Sequence, residues 1–215
     1  MATATAFAVT QRLKLEPSPI SRTRVSDVFS PVCRCASKTA NIEFSLRRPD
    51  DLRIAVRTGS GEVTVAERSY AAGDVHARWD GRDASGELVP DGVYYPVVQL
   101  KRAGRTIDLP NPIRVDTIKP SIKFTSLRPR LFRPGTEKLK VTYTVSEHAH
   151  ALLFVDGRRR VFTNSTRLRG RLQWYGRIGG RIISLGRHKL QLVAEDLGGN
   201  RSAPTAAVVV RVRRS

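Results

Sequence analysis

The residues with most chemistry to offer in this 215-residue chain are four histidines, two cysteines, a few turn aspartates and a crowd of arginines. His148 and His150 stand two apart in Glu147-His148-Ala149-His150, a spacing that puts both imidazoles on one face of a strand. A structural zinc site takes four ligands. With only Glu147 close by, the pair is two ligands short, and a solvated strand face is the expectation. His76 and His188 stand apart from them, and no triad, zinc or phosphate-loop pattern surrounds any of the four. The chain is therefore expected not to be an enzyme, and to carry no metal and no cofactor.

Cys33 and Cys35 flank Arg34, too close to staple distant strands and too few for a closed zinc site. They read as a local disulfide, as partners for another chain or as free thiols, and export favours oxidation. Asp80, Asp83 and Asp91 cluster among glycines, where a calcium site would want oxygens converging in one loop. The Glu at position twelve of an EF-hand loop is missing, and aspartates that bond their own backbone in turns account for the same residues.

Charge is the unusual property. There are 38 Lys and Arg against 19 Asp and Glu, a net +19, and the sequence pI is about 11.2. Residues 1–116 hold 17 basic and 14 acidic side chains and residues 117–215 hold 21 and 5, so the parts net +3 and +16. Arg158, Arg159, Arg160, Arg167, Arg169, Arg171, Arg177, Arg181 and Arg187 surround Trp174 and Tyr175 in sequence. Basic plus aromatic suits nucleic acid, yet strand alternation scatters such side chains over two faces and no RNA- or DNA-binding signature accompanies them. Arginine-rich composition of a G- and C-rich genome explains the excess as well. Contacts to anionic polymers, where made, are expected from Arg158, Arg159, Arg160, Arg169 and Arg171.

The elements behind these residues are strands. Ile42, Phe44 and Leu46 alternate with Glu43, Ser45 and Arg47; Leu52, Ile54 and Val56 repeat the period of two. Thr58-Gly59-Ser60-Gly61 closes a hairpin before Val63 and Val65, and Val155-Asp156-Gly157-Arg158 closes another. Further strands are expected near Ile122 to Thr125, Leu139 to Val145, Ala151 to Val155, Arg171 to Tyr175, His188 to Ala194 and Ala207 to Val212. No stretch shows helical periodicity between caps. Forty per cent hydrophobic residues suffice for packed cores, and the length suits two sandwiches of about 100 residues each.

Pro110, Pro112 and Pro120 make a short, stiff joint around Val115-Asp116-Thr117. Residues 10–36, broken by Pro17, Pro19 and Pro31, read as a lead-in. The apolar start Met1 to Val9 is too short to span a bilayer, which takes about 20 residues. Ala6-Phe7-Ala8 has the small-x-small pattern of a cleavage site, so the start reads as the stump of a longer export signal or anchor. The division expected is a tail without structure over 1–36, a first module over 37–116 and a second over 117–215, all-β throughout.

The most informative string runs Trp79-Asp80-Gly81-Arg82-Asp83-Ala84-Ser85-Gly86-Glu87-Leu88-Val89-Pro90-Asp91-Gly92-Val93-Tyr94-Tyr95. It is a strand end, two turns and a new strand. Trp79 is an anchor for a small core, the Asp-Gly, Ser-Gly and Pro-Asp-Gly groups set turns, and Val93, Tyr95 and Val97 are expected to alternate inward. This string resembles the immunoglobulin-like module of the flagellar hook-capping protein and of many bacterial surface and secreted proteins, the FlgD/Vpr type. Its motif falls here on Trp79, Asp80, Gly81, Gly86, Pro90, Gly92 and Tyr94, and the resemblance covers residues 39–109. More loosely, Gly186 to Ala194 followed by Glu195-Asp196-Leu197-Gly198-Gly199-Asn200 resembles the penultimate strand and turn of bacterial immunoglobulin-like repeats.

These resemblances imply two tandem immunoglobulin-like β-sandwiches in an exported or cell-envelope bacterial protein, secreted or membrane-anchored, acting as a spacer or an adhesive scaffold. The alternative is that the arginine-rich second module binds anionic polymers, either envelope glycans or nucleic acid. Expected partners are other envelope proteins or surface polymers. No small-molecule substrate and no specific nucleic-acid recognition are expected, and membrane association would come through a segment upstream of Met1.

Overall fold

The computed structural model describes residues 17–59 and 61–214. In chain order the first strands are β1 (Ile20–Val25), β2 (Val28–Phe29), β3 (Ala40–Leu46), β4 (Asp50–Thr58) and β5 (Gly61–Tyr70). They are followed by β6 (Gly73–Trp79), β7 (Gly92–Leu100), β8 (Arg105–Asp108) and β9 (Ile113–Val115). The later strands are β10 (Ile122–Arg128), β11 (Leu131–Phe132), β12 (Leu139–Val145), β13 (Ala149–Val155) and β14 (Arg158–Phe162). The last are β15 (Arg169–Trp174), β16 (Arg177–Ile178), β17 (Arg181–Ile182), β18 (Gly186–Asp196) and β19 (Val208–Val212). Among the described residues no helix is long and apolar enough to cross a membrane.

The chain divides into two compact units. One takes the described residues through Asp27 together with those of Thr39–Val115, and the other takes Val28–Lys38 together with the described residues from Asp116 onward. Each is an immunoglobulin-like β-sandwich. In the first, sheet β1-β3-β6 faces a sheet ordered β9-β7-β4-β5, with β8 paired to β7. The period-two residues behave as their alternation requires: Ile42, Phe44 and Leu46 lie buried, as do Leu52, Ile54 and Val56. β3 and β6 run antiparallel with Ala40 opposite Trp79 and Leu46 opposite Gly73. In the second unit, sheet β10-β12-β15 packs on β11-β19-β18-β13-β14. Leu139, Val141, Leu153, Val155, Leu190 and Leu192 fill the space between them. The turn after β13 has Asp156 at φ 50° and Gly157 at φ 75°, the left-handed pair that a two-residue hairpin needs.

Two expectations are corrected. The lead-in read over residues 10–36 is partly built structure: β1 pairs antiparallel with β3, Ile20 opposite Leu46 and Val25 opposite Ile42, because Ile20 and Val25 have core to cover. Residues 28–38 go with the second unit. The expectation about Met1 to Val9 lies outside the described residues. Along β7 the phase differs from the expected one: Tyr95 and Val93 are about half exposed, at 50% and 49%, while Tyr94 is 8% exposed. The ring that meets Trp79 belongs to Tyr94, and its hydroxyl finds a carbonyl there, which a buried phenol requires.

Candidate functional site

The signature string builds one corner of the first sandwich. Trp79 ends β6 with its ring buried, and the indole N–H donates to the Arg82 carbonyl at 2.9 Å. Gly81, at φ 80°, turns the chain so that its own carbonyl accepts the Val89 N–H at 2.9 Å. The Arg82 guanidinium closes the loop on the Gly86 carbonyl at 2.6 Å. Asp80 accepts the Arg82 N–H at 3.1 Å, and Asp83 accepts the N–H groups of Ser85 and Glu87 at 2.9 and 3.1 Å. The Ser85 hydroxyl, ahead of these backbone donors, holds the Asp83 carboxyl below the usual carboxylate value. These two carboxylates are occupied by turns. Tyr94 meets the Trp79 ring edge-on, centroids 5.2 Å apart, and its hydroxyl donates to the Pro90 carbonyl at 2.6 Å.

The second sandwich repeats this corner. Trp174 ends β15 with its ring buried, and its indole N–H donates to the Arg177 carbonyl at 3.0 Å. Gly176, at φ 70°, accepts the Ile183 N–H at 2.8 Å. The Arg177 guanidinium reaches the Gly180 carbonyl at 3.0 Å. The order Trp-x-Gly-Arg therefore appears twice, at Trp79-Asp80-Gly81-Arg82 and Trp174-Tyr175-Gly176-Arg177, with the same bonds. His188 makes the backbone bond that Tyr94 makes, its Nε2 donating to the carbonyl four residues earlier, that of Ser184, at 2.9 Å, while the ring against Trp174 is that of Phe132, centroids 6.0 Å apart. Its Nδ1 donates to Asp156 Oδ2 at 2.7 Å. Sequence reading took Trp174 for a core residue beside arginines and missed the repeat, because Tyr175 replaces the acidic residue and histidine replaces tyrosine.

Residues 31–104 match the family model of the FlgD Ig-like domain. The match spans the Trp79 corner and most of the first unit, so that unit is called the FlgD-type module below. No curated protein sequence matches the chain. Among solved structures, the fibronectin(III)-like modules of Clostridium thermocellum CbhA align over 91% of this chain and 93% of theirs. They do so at 21% identity and TM-score 0.49. A structure of a 1.5-MDa bacterial ice-binding adhesin aligns over 93% of this chain and 67% of its own, at 14% identity and TM-score 0.34.

Outside the FlgD-type module, Asp116, Glu147 and Asp196 bring one oxygen each to within 4.8 Å of one another. Sequence reading missed this trio, whose members come from three separated loops or strand ends. Asp196 holds the turn that follows it, accepting the Asn200 N–H at 2.9 Å and its side-chain amide at 2.8 Å. Burial first, then the Asp116 and Asp196 carboxylates, raise the Glu147 carboxyl above its ordinary value. Carboxylate oxygens so placed are the donor type of a hard cation such as calcium. Cys33 and Cys35 form a disulfide, with no free cysteine among the described residues. A side chain at Gly199 would collide with Cys35 Sγ, so the bridge lies against the same turn.

The histidine pair at the start of β13 bonds backbone carbonyls of the neighbouring segment. His148 Nδ1 donates to the Thr166 carbonyl at 3.0 Å and His150 Nδ1 to that of Thr163 at 2.7 Å, with the His150 ring stacked on Phe162.

The arginines read as one group separate into two. Arg158, Arg159 and Arg160 lie on β14, the edge of the five-stranded sheet, whereas Arg169 and Arg171 lie on β15 in the other sheet. On the outer face of β10-β12-β15, Lys123, Thr144 and Arg169 make one cross-strand row. Thr142 and Arg171 make the next, with Thr125 joined to Thr142 hydroxyl to hydroxyl at 2.9 Å. Arg128, Lys140 and Gln173 make the third. All five basic side chains are exposed. The three strands contain no Asp or Glu.

Proposed function

We propose that the chain is a non-catalytic module pair of an exported or cell-envelope bacterial protein, serving as a spacer and adhesive scaffold. Immunoglobulin-like modules of this class are structural or adhesive units, and two of them account for the described residues from 17 onward. The observation that carries the reading is the FlgD Ig-like match joined to an oxidised cysteine pair, since disulfides persist outside the reducing cytosol. The turns around Trp79 and Trp174 support it as well, because their polar groups are spent on holding the sandwich.

The test is where the protein resides and in what redox state. Fractionation of cells producing the full coding sequence should place it in the envelope or medium, with Cys33 and Cys35 protected from alkylation until a reductant is added. A cytosolic pool with both thiols open to alkylation would overturn the reading.

A further inference from the structure

The outer face of sheet β10-β12-β15 concentrates positive charge, and its three strands carry no acidic residue. Lys123, Arg128, Lys140, Arg169 and Arg171 share the face, and none forms an ion pair among the described residues. Arg128 and Lys140 are directly opposed across the strands, an arrangement of like charges that costs stability. An anionic occupant removes that cost. Between the charges lies a row of neutral hydrogen-bonding groups, Thr125, Thr142, Thr144 and Gln173, and the surface dips into an open groove of about 730 Å³ over Gly170. Adjacent strands stand about 5 Å apart and residues i and i+2 about 7 Å apart, so Lys123 and Arg169 bracket about 10 Å. The charges therefore spread across the three strands and along them, around the groove.

We propose that this face binds an acidic polysaccharide: the basic side chains pair with its carboxylate or sulfate groups, and the threonines and Gln173 bond its hydroxyls. A guanidinium presents two parallel N–H donors to a carboxylate, which suits Arg169 and Arg171 at the edge of the groove. Single-strand nucleic-acid sites stack successive bases on exposed rings. Here Phe124, Tyr143 and Trp174 turn toward the core, and Tyr175, just beyond β15, is the exposed ring of this segment. One ring among several hydroxyls fits a chain of sugars better than a run of bases. The inference extends the surface role proposed above, but binding is measured on purified protein, so it fails or stands independently of where the chain resides.

The experiment immobilises polygalacturonate, neutral dextran and an oligothymidine, and measures binding of the full chain at about 0.05 M and about 0.15 M salt. Binding to polygalacturonate, weakened by salt and absent on dextran, is expected. The variant K140Q/R169Q/R171Q should bind about tenfold or more weakly, while R158Q/R159Q on the other sheet changes affinity by less than about twofold. Circular dichroism confirms that each variant folds; if the triple variant does not, Lys140→Gln alone should still weaken binding by about threefold. No binding to polygalacturonate at low salt, an equal loss in R158Q/R159Q, or oligothymidine binding as tight as polygalacturonate would each overturn the proposal.

Discussion

At each Trp corner an indole fills core volume and ties a turn through its N–H, so its removal costs both contributions. Trp79→Ala and Trp174→Ala should each lose about 3–5 kcal/mol in denaturant unfolding, as large-to-small core changes do. Tyr95→Ala, half exposed, should lose less than about 1 kcal/mol. A small effect at Trp174 would break the equivalence of the two corners. The partner residues differ in a way that pH can read. The groups that His188 meets are the Asp156 carboxylate and the Ser184 carbonyl. Burial works against the Asp156 charge, but the bonds from His188 and the Lys189 N–H, with the charges of His188 and Arg160, outweigh it and hold the Asp156 carboxyl below its ordinary value. A depressed carboxylate stabilises the fold above its unfolded value and loses that contribution as pH falls through its folded value. The stability difference between the protein and Asp156→Asn should therefore be steady near neutrality and shrink toward zero in acid. A difference that grows on acidification would contradict the assignment.

At the scale of strands and loops, much was legible. Alternation marked β3, β4 and β12, whose residues Ile42, Phe44 and Leu46, then Leu52, Ile54 and Val56, then Leu139, Val141 and Tyr143 are buried, and Gly-containing dipeptides marked the hairpins. β7 misled, since Val97 and Val98 are both fully buried and the run offers two plausible phases. The basic face was not legible, because register brings together Lys123, Lys140 and Arg169 from separate strands, whereas the conspicuous Arg158-Arg159-Arg160 run lies on another sheet. The acidic trio was hidden for the same reason. Its electrostatics make a prediction at the loop between β12 and β13. A carboxyl raised above its unfolded value disfavours the charged fold at any pH above that raised value, and the cost disappears as pH falls through it. Glu147→Gln should accordingly raise the melting temperature at neutral pH, and the gain should fade in acid. A lower melting temperature at pH 7 would show that Glu147 makes a favourable contact the repulsion does not outweigh.

At the scale of the molecule, both units are discontinuous in sequence: residues 28–38 belong with the described residues from 116 onward, while 17–27 join 39–115 in the FlgD-type sandwich. A composition shift at the Pro110 to Pro120 joint marks where the later segment resumes, but no compositional cue separates 28–38 from its neighbours, since a short strip rests on an existing turn rather than building a core of its own. The cover is specific. The Phe29 carbonyl accepts the Asp116 N–H at 3.1 Å, and the Cys33–Cys35 bridge rests on Gly199. Gly199 sits at φ 90° in the turn that Asp196 and Asn200 hold, so the strip covers a turn with no side chain to spare for closing the gap. A fragment of residues 116–215 removes this cover and leaves β10-β12-β15 and the β18 ladder intact. Amide hydrogen exchange over residues 196–202 should then run about tenfold or more faster in the fragment than in the full chain, whereas β12 and β13 should change far less, because each segment opens according to the packing and hydrogen bonding around it. Reducing the disulfide in the full chain should move the same turn in the same direction by a smaller amount. Equal protection of that turn in fragment and full chain would mean that residues 28–38 lie on the second unit without stabilising it.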